Sequence, residues 1–370
     1  MIEKYYNGVI EQVAGGIGNV EHNSILVRYS NDFSIWDLES VNHYKDQTDI
    51  FFTCHEFSYN KIAEAYEPYL GLIRQMFHKY CSGTLEEFME ECDVYKLQRP
   101  VFESYFEKGF CERTEQILID EVEYEQERMR NSIVTMLQKL SEIRPVVIVL
   151  NRFQLASKST MQLSNSLLQV KNKNIGIVLG VNDVQSIPEF AHEEWDAICE
   201  SMDDRNMVYH IGNAGRNMEP DVMDYYSDYE SDDGYRKLNN LVYFLDFDQA
   251  NHHLSKIERR IKFDNFTISE KKHYQLLLLQ IMVSVLQRDI AKALESCEDL
   301  EKLQDQEKEG AFYYNFWMAT SYMYLGKLEE AMIYVQKAKE CGEALGDDFL
   351  VFRAELLKAQ NQMSGWCNIF

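Results

Sequence analysis

Two stretches of continuous apolar residues, PVVIVL at 145–150 and NIGIVLGV at 174–181, constrain this fold more than anything else in the chain. Neither alternates apolar with polar residues, so neither offers a face to water. A strand of that kind has to be buried on both sides of a parallel sheet. Between them STMQLSNSLLQVK, 159–171, carries its apolar residues at helical spacing, so the three segments read as strand, crossover helix and strand. SILV at 24–27, TDIFFTC at 48–54 and NMVYHI at 206–211 are expected to join the same sheet. Helices are expected through Ile35, Leu38 and Val41, over 60–80, 84–92 and 100–108, and as a long amphipathic element over 114–143. The glycine-rich AGGIGN at 14–19 reads as a turn, because Asn19 and Val20 stand where a phosphate-binding loop needs lysine and a hydroxyl.

From Glu219 to Tyr235 the chain carries seven acids and no base, a run whose self-repulsion favours a solvated linker over a packed element. It divides the 370 residues into an α/β domain over 1–218, an acidic linker or insertion over 219–235, and a helical domain over 236–370. In the helical part DFDQANHHLSKI, DIAKALESCEDL and KLEEAMIYVQKA align on Ala250, Ala293 and Ala331, which lie 43 and 38 residues apart. The last copy also puts Ala319, Tyr322, Gly326 and Ala338 at regular positions. This pattern resembles the tetratricopeptide repeat, in which small residues let paired helices approach closely. A further helix is expected over 347–363. In that register Tyr313, Phe316, Thr320, Met323 and Tyr324 lie on the concave side of a first helix, where they either anchor a protein partner or pack on the helix that follows.

Residues 20–215 resemble the STAND branch of the P-loop ATPases, the signal-transducing class of the maltose-regulon-type activators, and the helical repeats that follow are similar to that class too. The segment RPVVIVLNRFQLASKSTMQLSNSLL, 144–168, looks like its second nucleotide motif. The resemblance implies a P-loop-type parallel sheet followed by an all-α tetratricopeptide-like domain. It also implies two acids at the strand end, to hold Mg²⁺ and polarise the attacking water. Asn151 and Arg152 stand there instead, and a guanidinium repels a metal ion. At the first motif the correspondence puts Tyr29 at the first glycine, Ser34 at the last, Ile35 at the lysine and Trp36 at the hydroxyl. None of the residues needed to cradle phosphates is present. Asn182 and Asp183 close the next strand, where members of the class carry a phosphate-sensing residue. The expected state is a pseudo-ATPase that keeps the fold and has lost the reaction. No cofactor is expected, the alternative being ATP or ADP held without conventional Mg²⁺ coordination.

Against 61 acids stand 37 Lys and Arg, a net charge of −24 that repels phosphate backbones and anionic lipid surfaces. With no apolar stretch of roughly 18 residues, this excludes direct nucleic-acid binding through this chain and a membrane span, and places the protein in the cytoplasm. The eight cysteines contain no CxxC pair and read as reduced thiols. Asp246 and Asp248 fall in a repeat turn, where helix capping is expected. Adjacent His252 and His253 point to different helix faces and cannot chelate together, and Cys54 beside His55 lacks a third, orienting group. No catalytic or metal-binding residue is therefore expected. The function these features favour is that of a non-catalytic signal-transduction or scaffold protein, with a protein partner on its helical repeats. The competing readings are a nucleotide-gated transcriptional regulator whose DNA-binding domain is missing or lies beyond Phe370, and an enzyme of other chemistry with an apolar pocket lined by Tyr29 and Trp36.

Overall fold

The computed structural model describes residues 2–18, 23–30, 34–45, 49–58, 61–111, 122–170, 172–182, 187–203, 207–211, 231–263 and 267–367. Residues 114–121 of the expected long helix, Asp183, and the acidic run from Glu219 to Glu230 lie outside them. The chain begins with α1 (Ile2–Gly15), whose Tyr6, Val9, Ile10 and Val13 recur at helical spacing and are all buried. There follow β1 (Ser24–Tyr29), α2 (Glu39–Lys45), β2 (Phe51–Glu56), α3 (Tyr69–Tyr80), α4 (Leu85–Glu91), α5 (Arg99–Lys108), α6 (Val122–Ile143), β3 (Val146–Asn151), α7 (Lys158–Gln169), β4 (Ile175–Asn182), α8 (His192–Asp203), β5 (Val208–Ile211) and α9 (Asp232–Tyr243). The remaining elements are α10 (Phe247–Phe263), α11 (Glu270–Leu286), α12 (Ile290–Glu301), α13 (Gly310–Tyr324), α14 (Leu328–Leu345) and α15 (Asp348–Cys367).

Two expected helices differ in extent. The one over 60–80 begins only at Tyr69, because Pro68 has no N–H to donate and its ring disfavours the helical conformation in the residue before it. The one through Ile35 and Val41 is broken: Ser34 caps a 3₁₀ turn over Ile35–Asp37, Leu38 is extended, and α2 starts at Glu39.

The five strands form one parallel sheet in the order β2-β3-β4-β1-β5. From β2 through β3 and β4 to β5 the chain advances in one direction, and from β1 to β2 it moves in the other. Right-handed crossovers then put α2 on one face and α6, α7 and α8 on the opposite one. On the face of α2 lies α1, against β1, β3 and β4. Two glycines of β4 make that approach possible. Gly176 and Gly180 are four residues apart and so share a face. A Cβ at Gly176 would meet Val13 Cγ1 at 2.7 Å, and one at Gly180 would run into the Tyr6 hydroxyl and Asn151 Oδ1.

Two compact units divide the chain, Met1–Asp248 and Gln249–Phe370. The first therefore takes in 236–248, which the sequence assigned to the helical domain. The reason is α9: Asn240 accepts from Cys111 N at 2.8 Å and donates to Glu64 Oε2 at 2.9 Å, while Asn239 donates to the Cys111 carbonyl.

In the second unit each of α11 to α14 packs on the next helix, and α11, α13 and α15 also meet in succession. Its core includes Leu278, Ile281, Phe312, Phe316, Trp317 and Leu350. The aligned alanines Ala250, Ala293 and Ala331 are all fully buried. Five residues before each stands a backbone in the left-handed region: Leu245 (φ 66°), Arg288 (φ 64°) and Gly326 (φ 73°). The turns share both hydrogen bonds as well. Asp246, Asp289 and Lys327 donate their N–H to Leu241, Ser284 and Tyr322 carbonyls, and the residue before each donates to Val242, Val285 and Met323. The repeat is thus a repeat of backbone conformation and not of composition alone.

Gly180→Ala is expected to lower stability by about 1–3 kcal/mol, since the added methyl has no space beneath α1. Gly8→Ala, at an exposed position of α1 with open space around its Cα, is expected to raise it by about 0.5–1 kcal/mol. Urea denaturation midpoints of the two variants check both signs.

Candidate functional site

Open α/β sheets offer ligands a crevice at the carboxyl ends of their strands, where the winding reverses. In this sheet that place lies between β1, whose crossover leaves on one face, and β4, whose crossover leaves on the other. Tyr29 and Asn182 end these two strands as a register pair, and Asn151 ends β3 beside them. The Tyr29 hydroxyl donates to Asn151 Oδ1 at 2.8 Å, and both residues are completely buried. Asn182 N donates to the carboxamide of buried Gln154 at 3.2 Å. Tyr6 of α1 brings a second phenol to the same corner, and burial, with Tyr29 beside it, pushes its pKa well above the usual value.

Glu56, paired in register with Asn151 at the end of β2, is the charged member of this edge. Its Oε2 accepts from Ser34 Oγ at 3.2 Å and from Ile35 N at 3.1 Å, and its Oε1 meets Arg152 Nη1 at 3.1 Å. Arg152 reaches it from a left-handed backbone, φ 54°. Five of the six positions that the resemblance assigned to a nucleotide pocket, Tyr29, Ser34, Ile35, Asn151 and Arg152, are therefore engaged by groups of the chain itself. Ile35 is fully buried, whereas Trp36 is 46% exposed with Lys45 Nζ 4.5 Å from its ring centre. Tyr29 and Trp36 consequently do not line one apolar pocket. Glu56 went unnoticed in the sequence; the signal was a carboxylate closing an apolar strand, in register with Asn151.

The minor constellations resolve into packing. Asp246 Oδ2 accepts from Ser159 N at 2.8 Å, at the start of α7, and Asp248 Oδ2 meets Lys158 Nζ at 2.7 Å. Glu67 lies 3.5 Å from His55, and the neighbouring Glu64 is pushed up to about 7 by burial and by the Glu67 carboxylate. Burial holds His55 down at about 4 and pushes the Cys54 thiol up, away from the reactive thiolate. Among the described residues no group of three or more His, Cys, Asp or Glu side chains is arranged to hold a metal ion.

On the helical unit Tyr313, Phe316 and Thr320 are buried, with 5%, 5% and 7% exposure. Arg353 of α15 covers the rings of Phe316, at 4.5 Å, and Tyr313, at 5.7 Å. Met323 and Tyr324 are half-buried against the same core, and Arg288 stacks 4.0 Å from the Tyr324 ring. The following helix thus occupies the face on which the sequence left binding and packing open. A groove of about 260 Å³ lies instead among α10, α11 and α12, floored by Leu254, Ile257 and Leu277 and rimmed by Lys262, which Glu258 and Glu295 hold at 2.6 and 3.4 Å.

No family model matches the chain, and no curated protein or solved structure is detectably similar to it.

His252 and His253 form an edge-to-face pair, and His253 Nε2 lies 2.9 Å from Gln249 Nε2. Burial, with Lys256 nearby, holds His252 near 4; burial, with His252 and Lys256, holds His253 near 3. Unfolded histidines take up protons as the pH falls below about 6.5, whereas these remain neutral, so acidification through that window favours unfolding. Between pH 7 and pH 5 His253 is expected to cost about 1–2 kcal/mol of stability. The urea midpoint of His253→Gln should therefore fall less over that interval than the wild-type midpoint, and equal falls would count against the assignment.

Proposed function

We propose that the chain is a non-catalytic signal-transduction or scaffold protein, in which a STAND-like, P-loop-type domain without the ATPase reaction accompanies tetratricopeptide-like repeats that engage a protein partner. The observation that carries this reading is the Tyr29–Asn151 hydrogen bond, completely buried at the strand ends. Phosphate chemistry at such an edge needs exposed backbone amides, a lysine and carboxylates toward a metal ion. In their places stand a phenol, an amide, a buried isoleucine and an arginine already paired to Glu56.

The repeat reading draws support from the three matching turns and their buried alanines. A partner surface draws support from α15, where Phe352, Ala359 and Met363 are exposed and Leu356 half-buried, a stripe at spacings of four, three and four residues. With a net charge of −24, the chain would steer a partner that flanks its apolar contacts with basic residues. No helix among the described residues is long and apolar enough to cross a membrane. The cytoplasmic setting we propose accords with seven described cysteines present as free thiols.

Calorimetric titration with ATP and with ADP, each with and without Mg²⁺, is expected to give no binding heat. Micromolar binding of either nucleotide would overturn the proposal and leave a nucleotide-gated switch in its place.

A further inference from the structure

Glu56 collects donors from two other parts of the chain. A hydroxyl and a backbone amide reach it from the segment after β1, Ser34 Oγ at 3.2 Å and Ile35 N at 3.1 Å, and a guanidinium from the end of β3, Arg152 Nη1 at 3.1 Å. The Glu56 side chain is only 9% exposed, so these contacts are made where water screens charge poorly. The donors do not crowd one oxygen: the hydroxyl and amide take Oε2 and the guanidinium takes Oε1. Arg152 also holds a left-handed backbone, a conformation that is strained for a residue with a Cβ and persists only where the surroundings impose it.

A hydroxyl, a backbone N–H and a guanidinium converging on two oxygens make the donor set that recognises a carboxylate or a phosphate. We propose that Ser34, the Ile35 amide and Arg152 form an oxyanion-binding cradle whose resident ligand is the chain's own Glu56 carboxylate. Tethered at the end of a strand, that carboxylate is present at an effective concentration that free anions in solution do not match, and the folded wild type keeps them out. The anion at this edge is thus part of the chain, and the tie between β2, β3 and the segment after β1 needs no ligand. The inference rests on the reading of the edge as one that binds no nucleotide.

The test is anion rescue of a vacated cradle. Thermal midpoints of the wild type, Glu56→Ala and Glu56→Ala with Arg152→Ala are measured in sodium chloride, acetate and phosphate at matched ionic strength. Glu56→Ala is expected to melt below the wild type in chloride. Acetate or phosphate at tenfold its Kd should raise that midpoint by about 3 °C, with a smaller rise in the wild type and none in the double variant. A larger rise with phosphate than with acetate would mark a phosphate-shaped cradle, and the reverse a carboxylate-shaped one; both support the proposal. Equal midpoints in all three salts, or an equal rise in the wild type, would overturn it. Should Glu56→Ala not fold, Glu56→Gln, which keeps the volume and loses the charge, is combined with Arg152→Ala. The proposal then expects the double variant to melt well above the sum of the two single losses, and strictly additive losses would overturn it. Nucleotide binding by the wild type would sink the reading of the edge, while the acetate and phosphate series would still decide the cradle.

Discussion

Burial of both faces of a parallel sheet is the constraint from which the first unit follows. β3 and β4 are buried along their whole length, six and eight residues with no polar face between them. Each face then needs a layer of helices at van der Waals distance. Right-handed crossovers supply α6, α7 and α8 on one side, but only one crossover, that from β1 to β2, leaves on the other. The missing cover comes from α1, which seats Val13 over Gly176 and Tyr6 over Gly180. Because Tyr6 reaches the last turn of the sheet, the layer that completes the core also fills the corner where Tyr29 and Asn151 meet. Packing and the state of the candidate site are one arrangement.

What the sequence made legible were the elements whose pattern has a single physical reading. PVVIVL and NIGIVLGV became β3 and β4, displaced by one residue, and STMQLSNSLLQVK became α7 with Ser157 as its cap. The polar outcome at the strand ends was legible too, since Tyr29, Asn151 and Arg152 can be read off once the strands are placed. What remained hidden depended on distant partners. α1 shows ordinary amphipathic spacing, but its place on the sheet depends on two glycines more than 160 residues later. Asn240 belongs with Cys111 and Glu64, and no local pattern says so. Glu56 looks like any carboxylate after a strand until its three donors are assembled. Tyr313 and Phe316 occupy positions where a groove anchor and a core residue have the same sequence signature, and α15 decides between them.

The second unit shows how a weak sequence repeat rests on a strong backbone one. Gly326 adopts its left-handed turn without steric cost, whereas Leu245 and Arg288 adopt the same turn against the clash of a Cβ with the following carbonyl. That two side-chain-bearing residues accept this conformation means the turn is set by what surrounds it: the paired hydrogen bonds back to the preceding helix and the alanine five residues on, which admits a close neighbour. At Arg288 the side chain also contributes, its guanidinium lying on the Tyr324 ring. Such a turn tolerates sequence drift more readily than the small-residue positions do, which is why the alanines align across copies while the residues around them do not.

On the proposed reading, the sheet edge exchanges the charges of a nucleotide site. Such a site sets protein cations and a metal ion against a ligand's phosphates; this edge sets Arg152 against Glu56, and the pair is neutral without any ligand. A largely buried ion pair contributes little net stability, because desolvating two charges offsets most of their attraction. What it supplies is position. With one carboxylate bound to a guanidinium from β3 and to a hydroxyl and an amide from the segment after β1, none of the three parts can shift without breaking a contact to that carboxylate in a poorly hydrated place. Breaking the arrangement is therefore much more costly than making it is favourable, an asymmetry that suits a domain serving as a fixed support. A chain with 61 acids has no shortage of carboxylates to lend to such a site, and a surplus of negative charge outside it further discourages an anionic competitor.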